Sequence, residues 1–560
     1  MSNQIHIIQN AITTNISEIF RGDFRRICEV KKAVLHLEAI YFCHGTCYLL
    51  KRENMPIKDQ LALYQRIELI PQSTTEFFEN NRECIINNWP EESALAAKPE
   101  ILYDALLASE FCVQPERVGY KIDKVSRDIA GAYYTSSDFS AQITYRALES
   151  YMDRKRRRAI DSDSFACCNE YENITFLDYS CGCGEFLLAV IQYFDNHVLG
   201  YSRKKLATQL RGVDVNPIAL MITIARIVSA VEAEDDENLL REVAKNFIVG
   251  NPLLHSDKIA PLEVRFDNFA LNRLYAETEG INCLELEQQN LVVLGNPPWE
   301  KLRFEEQAFF RPVCPAISAI SQKNKREKEI KKLAVNWLEL LEYYQLLQDD
   351  YASVKKEIPK HPLLKVSLVG ELNTYAMFAE LASRLTEKDG FAAIIAKSAL
   401  VTSTCYSSCF RHFVNQGSLS EVFLFDNREK LFQIDSREKF CVLFFGGEHA
   451  GGIKVHYGLT KQEQILSSVP INVTSEELEL INPETGLLPN VADSKEFSFL
   501  LRTHRSLSVF AKEFPKCHFG RFTLLRMQNT FLQSRKKHES QSMRENSSNN
   551  MIIVFPHLQE

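Results

Sequence analysis

The order of apolar and polar positions divides the chain into two parts. Up to about residue 120, apolar residues recur at the spacing of amphipathic helices and glycines are few, as around Ala33–Leu37 and Gln60–Tyr64. Beyond residue 120, short apolar runs that end in polar or glycine-rich residues alternate with helical stretches. The pattern predicts a helical N-terminal region over residues 1–120, followed by an α/β region.

One of the apolar runs, Leu291–Leu294, ends abruptly in a rigid loop. The run is aliphatic and half β-branched, which predicts a central parallel strand that is buried on both faces. The loop is Asn296–Trp299, and its proline pair stops the strand because each ring removes an N–H group and fixes φ. Open α/β sheets bind ligands at such strand ends, and the amide, carbonyl and indole of this loop suit a planar base with an amino group. Taken alone, the loop is more typical of a tight turn before a surface helix.

An earlier run, Thr175–Leu177, ends in Asp178 and a glycine-rich turn that contains Gly182 and Gly184. Glycines allow a backbone to approach a ligand closely, and the following helix presents N–H groups at its N-terminus. The turn lacks the third glycine of the dinucleotide fingerprint. An acidic residue before the turn favours a ligand with a cationic end, such as S-adenosylmethionine (SAM), which carries an ammonium and a sulfonium group.

Two more strand ends carry a polar residue. Asp214 follows Leu210–Val213, and an acid at this place in a nucleotide-binding unit accepts both ribose hydroxyls. It would serve equally as a helix N-cap. Asn251 follows Asn246–Gly250 and can both donate and accept hydrogen bonds, as reading of a cofactor adenine requires. Four such strand ends within one α/β segment are much more specific than any one of them.

A fifth segment, around Gly131, contains Tyr133, Tyr134 and Thr135. Two tyrosines beside a residue that can cap the next helix would form the rim of a ligand pocket. A loop that only packs against its surroundings has the same pattern.

Composition narrows the class of protein. The chain has 560 residues, 45% of them hydrophobic, and a formal net charge of −8, so binding to a polyanion must depend on local patches. Basic clusters occur at 154–158 and at 323–332; both patterns are more typical of solvated helix faces than of phosphate contacts. Within the helical N-terminal region, the one acidic-x-Lys candidate for a nuclease, Glu29-Val30-Lys31, follows Asp23 too closely, so we expect no nuclease in this segment.

Cysteine usage and hydropathy indicate the compartment. The 15 cysteines include no CxxC pair and no zinc-type spacing, so we expect reduced thiols and no metal. The N-terminus does not have the pattern of a signal peptide, and no apolar run approaches the ~20 residues that span a bilayer. We therefore expect a cytoplasmic protein without a membrane partner.

In their order along the chain, these residues resemble the N6-adenine DNA methyltransferases of the gamma motif order, from type II and IIG restriction–modification systems. The resemblance extends from about residue 127 to residue 446. It implies a Rossmann-like seven-stranded SAM-dependent methyltransferase sheet, with a reversed strand at Phe440–Phe445 as the returning edge of a hairpin. The implied units are a helical region (1–120), a methyltransferase domain (121–450, with a helical insert at about 300–370) and a partial or truncated target-recognition region (451–560).

The resemblance also implies roles for individual residues. The target adenine amino group would bind to the Asn296 side chain and the Pro297 carbonyl, with Pro298 stiffening the loop. Trp299 would stack on the flipped base, with Phe432 on its other face. The implied cofactor is SAM, and its binding residues are Tyr133, Tyr134, Thr135, Asp178, Gly182, Gly184, Asp214 and Asn251. Double-stranded DNA is the implied partner, with a restriction or specificity subunit as a possible second one.

The sequence departs from the family at several positions, including Tyr179 and Cys183, where the family has Pro and Ser/Thr. Two alternatives to an adenine-specific DNA methyltransferase stay open. The first is a SAM-dependent methyltransferase of RNA or of protein glutamine, because these enzymes also use Asn-Pro-Pro-aromatic. The second is a truncated, non-catalytic DNA-binding subunit of a defence system.

Overall fold

A computed structural model of the chain describes residues 2–96, 98–122, 135–161, 171, 173–274, 280–286, 290–387, 389–446 and 452–506. Tyr133 and Tyr134 lie outside the described residues. No helix in this described part of the chain combines the length and apolarity that a bilayer crossing requires.

The N-terminal region is helical, as predicted, and ends in a small antiparallel hairpin that the sequence pattern did not indicate. Its helices are Ser2–Ile19, Ile27–Leu49, Ile57–Arg66, Gln72–Asn80, Arg82–Asn87, Glu92–Leu95 and Pro99–Leu107. The hairpin consists of β1 (Ser109–Gln114) and β2 (Arg117–Ile122). Helix Ile27–Leu49 is buried along most of its length and packs on helix Pro217–Ala230 of the α/β region, so the two regions share one core.

Nine strands of the α/β region form one sheet, and two short strands form a separate parallel pair. In chain order the strands are β3 (Thr175–Asp178), β4 (Leu210–Asp214), β5 (Phe247–Val249), β6 (Asn251–His255), β7 (Gly280–Ile281), β8 (Leu291–Gly295), β9 (Phe391–Lys397), β10 (Leu419–Asp426), β11 (Lys439–Phe445), β12 (Ile453–Leu459) and β13 (Ile471–Val473). The nine-stranded sheet has the order β13-β12-β10-β11-β9-β8-β3-β4-β5, and β6 pairs with β7.

The sheet confirms the predicted Rossmann-like fold and corrects the prediction in two respects. Strands β5, β4, β3, β8, β9, β10 and β12 run parallel, whereas β11, the strand predicted to be reversed, and the edge strand β13 run in the opposite direction. The sheet has nine strands instead of seven, because β12 and β13 extend it beyond β10. The reversed strand is internal instead of an edge, since β11 lies between β9 and β10 and is buried from Phe440 to Phe445. A continuous apolar run of this kind is typical of an internal strand.

The helices of the α/β region pack on the sheet and on one another. They are Ser137–Asp161, Glu185–His197, Arg203–Gln209, Pro217–Ala230, Glu237–Ala244, Leu262–Ala270, Glu306–Val313, Pro315–Ser318, Lys323–Asn336, Leu338–Glu357, Thr374–Leu385, Ala399–Thr402, Ser407–Asn415, Gln464–Ser467, Ser475–Ile481 and Ser494–Ser506. Four of them, from residue 306 to residue 357, lie between β8 and β9. Because β12 pairs with β10, the described chain after residue 452 continues the same sheet.

Helix Thr374–Leu385 is attached to the chain before it by a fully buried carboxylate. Glu380 has no exposed surface, and its two oxygens accept hydrogen bonds from the backbone N–H groups of Lys365, Val366 and Ser367 at 2.9–3.1 Å. The Ser367 hydroxyl donates a further bond of 2.6 Å. Such a carboxylate is stable in the interior because N–H and O–H donors replace its hydration.

We expect Glu380→Ala to lower the free energy of unfolding by about 3 kcal/mol, because it leaves three backbone N–H groups and the Ser367 hydroxyl without their acceptor, and those of Ser367 are buried. Urea unfolding followed by circular dichroism measures the change. Glu387→Ala is the matched control, since Glu387 is half exposed and pairs with Arg384 near the end of the same helix. Equal effects of the two substitutions would contradict the role of Glu380.

Candidate active site

Three of the predicted site segments meet at one edge of the sheet. Strands β4, β3 and β8 are parallel neighbours, with Leu177 opposite Arg211 on one side and Val293 on the other. Their carboxyl ends therefore lie side by side. This register brings Asp178, Asp214 and the start of the Asn296–Trp299 loop together, as expected at the ligand-binding edge of an α/β sheet.

Asp178 lies directly against the end of β8. Its carboxyl group is 2% exposed, and its Oδ1 accepts a hydrogen bond of 3.0 Å from the Ser180 N–H. A Cβ atom on Gly295 would lie 2.7 Å from that same Oδ1, so only a glycine at this position allows the approach. Burial raises the pKa of Asp178 to about 8, with a smaller contribution from the nearby Asp214. A cation beside this carboxyl group would offset the effect of burial.

The glycine-rich turn is held from two sides. Its Gly182 N–H donates to Asp214 Oδ2 at 2.9 Å, and its Gly182 carbonyl accepts a bond of 2.7 Å from the Thr223 hydroxyl. Gly184 has φ +85°, and a Cβ there would lie 2.7 Å from the Thr223 methyl group. Among the described residues, no atom lies within 4 Å of the Cβ position on Gly182, so this part of the chain leaves the backbone of the turn open on that side. Sequence reasoning missed Thr223, whose only signal is a hydroxyl within the apolar run Ile218–Ala225.

Asp214 organises its surroundings by means of both carboxylate oxygens. Besides the Gly182 bond, its Oδ1 accepts a bond of 2.8 Å from the Asn216 N–H. Burial raises the pKa of Asp214, and these backbone bonds oppose the increase. Because each oxygen has a further lone pair, the residue can accept ribose hydroxyls as well. Its ribose role stays a prediction.

Asn251 begins β6 immediately after β5. Its side-chain oxygen accepts a bond of 3.0 Å from the Leu253 N–H, which fixes the amide in the turn. To bind an adenine ring, Asn251 would then use its Nδ2 hydrogens and the second lone pair of its side-chain oxygen. This role too stays a prediction.

Asn296 contacts the segment that the sequence predicted as a pocket rim. Its Nδ2 donates a hydrogen bond of 3.1 Å to the hydroxyl of the buried Thr135, which lies 161 positions earlier in the chain. With the amide nitrogen directed to Thr135, the carbonyl oxygen points to the opposite side of the group. In this orientation Oδ1 faces away from Thr135 and has the chemistry of an acceptor for a ligand amino group.

Thr374 holds the other end of the Asn296–Trp299 loop, and the sequence pattern did not predict it. Its hydroxyl donates to the Pro298 carbonyl at 2.6 Å and accepts from the Glu300 N–H at 3.0 Å. Its own N–H donates to the Glu300 carbonyl at 3.0 Å. Thr374 is the first residue of the helix that Glu380 anchors, so the loop is connected to a rigid element.

Trp299 lies in a closed aromatic cluster. Its ring meets the Phe432 ring edge-on, with centroids 5.3 Å apart and an interplanar angle of 69°, and is 6.2 Å from the Phe440 ring. Trp299 is 5% and Phe432 1% exposed. A base stacked between two rings needs them about 7 Å apart, twice the ~3.4 Å of a base step. In this conformation the cluster has no room for one, so the stacking roles of Trp299 and Phe432 stay predictions that require the rings to separate.

Asn427 holds Phe432 in the cluster. The Asn427 side chain donates to the Phe432 carbonyl at 2.9 Å and accepts from the Phe432 N–H at 3.0 Å. Asn427 has no exposed surface. One side chain thus satisfies both backbone groups of Phe432.

Tyr179, one of the departures from the family pattern, has a structural partner. Its hydroxyl donates a bond of 3.0 Å to the Phe378 carbonyl, and its ring stacks on the Phe378 ring at 5.1 Å. The residue therefore connects the end of β3 to helix Thr374–Leu385.

Of the comparisons with known proteins, the one with solved structures finds matches and the others do not. No protein-family model matches the chain, and no curated protein matches it. The protein in the structure of the DrdV–DNA complex has 13% sequence identity to this chain. The match covers 84% of this chain and 46% of that protein, with a TM-score of 0.42. The type IIG restriction endonuclease BpuSI is 12% identical over 85% of this chain and 45% of its own, with a TM-score of 0.39. A type I restriction–modification methyltransferase subunit from Streptococcus thermophilus is 10% identical over 90% and 93% of the two chains, with a TM-score of 0.32.

The chain spans less than half the length of the DrdV and BpuSI chains. At these identities and TM-scores the likenesses are too distant to assign an activity, and the functional conclusion depends on the site residues.

We expect Asp178→Asn to stabilise the ligand-free protein at high pH. The carboxyl pKa is about 8 in the folded chain and ~3.9 in an unfolded one, so folding takes up a proton between these values. The stability of the parent protein therefore falls as pH rises through this window, and an amide at this position does not titrate. Thermal unfolding at pH 5 and pH 8.5 should show a gain in Tm that is larger at pH 8.5.

The control for this experiment is Asp349→Asn, because Asp349 is exposed on helix Leu338–Glu357. A Tm difference that is the same at both pH values for Asp178→Asn would contradict the prediction.

We expect Asn427→Ala to lower the free energy of unfolding by about 2–3 kcal/mol, because it leaves a buried N–H and a buried carbonyl of Phe432 without partners. Urea unfolding measures the decrease, with the exposed Asn415→Ala as its control. A change below about 0.5 kcal/mol would show that the loop before β11 does not need this amide.

Proposed function

We propose that the chain is a SAM-dependent DNA methyltransferase that methylates N6 of an adenine flipped out of double-stranded DNA. The observation that carries the proposal is the hydrogen bond between Asn296 and Thr135, beside Asp178 and Asp214 at one sheet edge. It orients an amide acceptor next to a buried carboxyl group and an open glycine turn. We further propose that the protein acts in a restriction–modification or related phage-defence system, with a restriction or specificity subunit as a second partner.

The residues present fit SAM. The Asp178 carboxyl group is buried and has a raised pKa, so it would be stabilised by the ammonium group of the cofactor. The open surface at Gly182 leaves space for a ligand against the backbone, and Asp214 would hold the ribose. Asn251 would bind the adenine ring. SAM supplies an electrophilic methyl group on its sulfonium.

The loop residues would act on the target amino group. The lone pair of the adenine amino nitrogen is delocalised into the ring, so this nitrogen is a poor nucleophile. Asn296 Oδ1 and the Pro297 carbonyl would accept its two hydrogens and stabilise the positive charge that develops on it. Thr135 and Thr374 would hold these acceptors in position from the two sides of the loop. No strong base is needed before the attack, since only one of the two amino protons is lost, after the positive charge has developed, while the other stays on the methylated nitrogen and the cofactor leaves as a neutral thioether.

Trp299 would offset the cost of taking the base out of the duplex. Unstacking costs a few kcal/mol, and stacking on an aromatic ring recovers part of it. In the present conformation Phe432 contacts this ring, so the base would displace that contact.

We expect Asn296→Ala to reduce methyl transfer to DNA at least 10²–10³-fold, as removal of one stabilising group at a developing charge does. SAM affinity, measured by calorimetry, should stay within a few-fold, because Asn296 binds the target. Transfer of a radiolabelled methyl group to DNA, RNA and protein measures the activity. Asn336→Ala, on the exposed side of helix Lys323–Asn336, is the control.

Label in RNA or protein but not in DNA would overturn the proposed substrate. Equal methylation by the parent chain and Asn296→Ala would overturn the proposed site. Sequencing of methylated positions in DNA from cells expressing the parent chain should find N6-methyladenine in one sequence context.

A further inference from the structure

Helix Lys323–Asn336, in the segment between β8 and β9, has one anchored side and one basic side. Its anchored side comprises Arg326, Ile330 and Leu333, which are 6–9% exposed. Arg326 binds the Glu306 carboxylate and donates to the Ile320 carbonyl at 2.7 Å. The adjoining Trp337 donates from Nε1 to the Arg25 carbonyl at 2.7 Å. The orientation of the helix is therefore well determined by its buried contacts.

The opposite side of this helix carries lysines and no acid. Successive residues of an α-helix are rotated by about 100° about its axis. Relative to the direction opposite the anchored side, Lys328, Lys331 and Lys332 fall within about 60°, and Lys325 lies just beyond. All four are exposed. The two acids, Glu327 and Glu329, fall on the flanks of the helix. We call these four lysines the lysine face.

Most of the charge of the lysine face is not neutralised within the protein. Lys332 pairs with Glu329 at 2.7 Å. Among the residues that the structure describes, Lys325, Lys328 and Lys331 have no ion pair. A chain with a formal net charge of −8 thus concentrates positive charge on one short, rigid surface.

The dimensions of the lysine face match a nucleic-acid backbone. From Lys325 to Lys332 the helix rises about 10 Å, which corresponds to about three steps of 3.4 Å along one strand. Flexible ammonium groups bind phosphates as point charges without reading sequence.

The lysine face lies within reach of DNA bound at the candidate active site. Glu306, which Arg326 binds, is seven residues after Trp299, so these two residues are at most about 25 Å apart, and the lysines lie on the opposite side of the helix, about 10 Å further away. A duplex that presents a base to Trp299 extends a full turn, about 34 Å, along its axis.

We infer that the lysine face binds the phosphate backbone of the duplex whose adenine is methylated. This inference rests on the proposed function, and it assigns to the insert between β8 and β9 a part of the DNA-binding surface. The contact contributes affinity that is independent of sequence, and its strength falls with salt because binding releases counterions.

The test replaces Lys325, Lys328, Lys331 and Lys332 together with glutamine in the full chain. The control replaces four exposed lysines elsewhere, Lys58, Lys98, Lys204 and Lys245, and so removes the same total charge. Binding to a fluorescein-labelled 30-base-pair duplex is measured by anisotropy between about 50 and 200 mM salt. A third variant with arginine at the four positions restores the charge.

We expect the glutamine variant to bind DNA at least ten-fold more weakly at about 100 mM salt. Its slope of log K against log salt should be smaller in magnitude by about 3, close to 0.9 for each phosphate that the variant no longer neutralises. The arginine variant should bind like the parent chain, and the control variant should keep the parent slope. Thermal unfolding and SAM affinity should be the same in all four proteins.

A glutamine variant with the affinity and slope of the control would overturn this inference and leave the proposed function intact. A parent chain that binds SAM but no duplex would overturn both. Weakened binding to an RNA hairpin with unchanged binding to the duplex would show that the lysine face belongs to a different partner.

Discussion

The close approach of the Asp178 carboxyl group to the backbone of Gly295 is the constraint on which the candidate site depends. It brings the end of β3 against the end of β8, and thereby brings the glycine turn and the Asn296–Trp299 loop together. A buried carboxyl group without a cation is costly for the ligand-free fold. The arrangement is characteristic of functional sites, where a local cost is accepted because a ligand removes it.

The remaining site is built by residues that position other groups. Thr135 directs the Asn296 amide, and Thr374 holds the loop that follows it. Thr223 and Asp214 hold the glycine turn from opposite sides. Each of these contacts joins segments that are distant in the chain, so the site is formed by the tertiary fold and cannot exist in an isolated strand–loop unit.

The strand ends could be predicted from the sequence because their signal is local. A buried strand that stops at a polar residue is visible within a few positions, and Asp178, Asp214 and Asn296 were found in this way. Thr374 could not be predicted, since its partner Pro298 is 76 positions away and is recognised only after folding. The sequence did not predict that β11 is an internal strand. Phe440–Phe445 is apolar throughout, but its length and position are also typical of the edge strand of a hairpin. The extension by β12 and β13 was missed because glycines and prolines weaken the periodicity there.

The closed contact between Trp299 and Phe432 has a consequence for selectivity under the proposed function. A base can enter only in the fraction of molecules in which the rings are apart, and the measured affinity is lower than the intrinsic one by that fraction. Ligands that do not insert a base recover none of this cost. Duplex DNA that is bound only through its phosphate backbone would therefore leave the Trp299 and Phe432 rings in contact. The protein could then bind and release such DNA without exposing its aromatic surface.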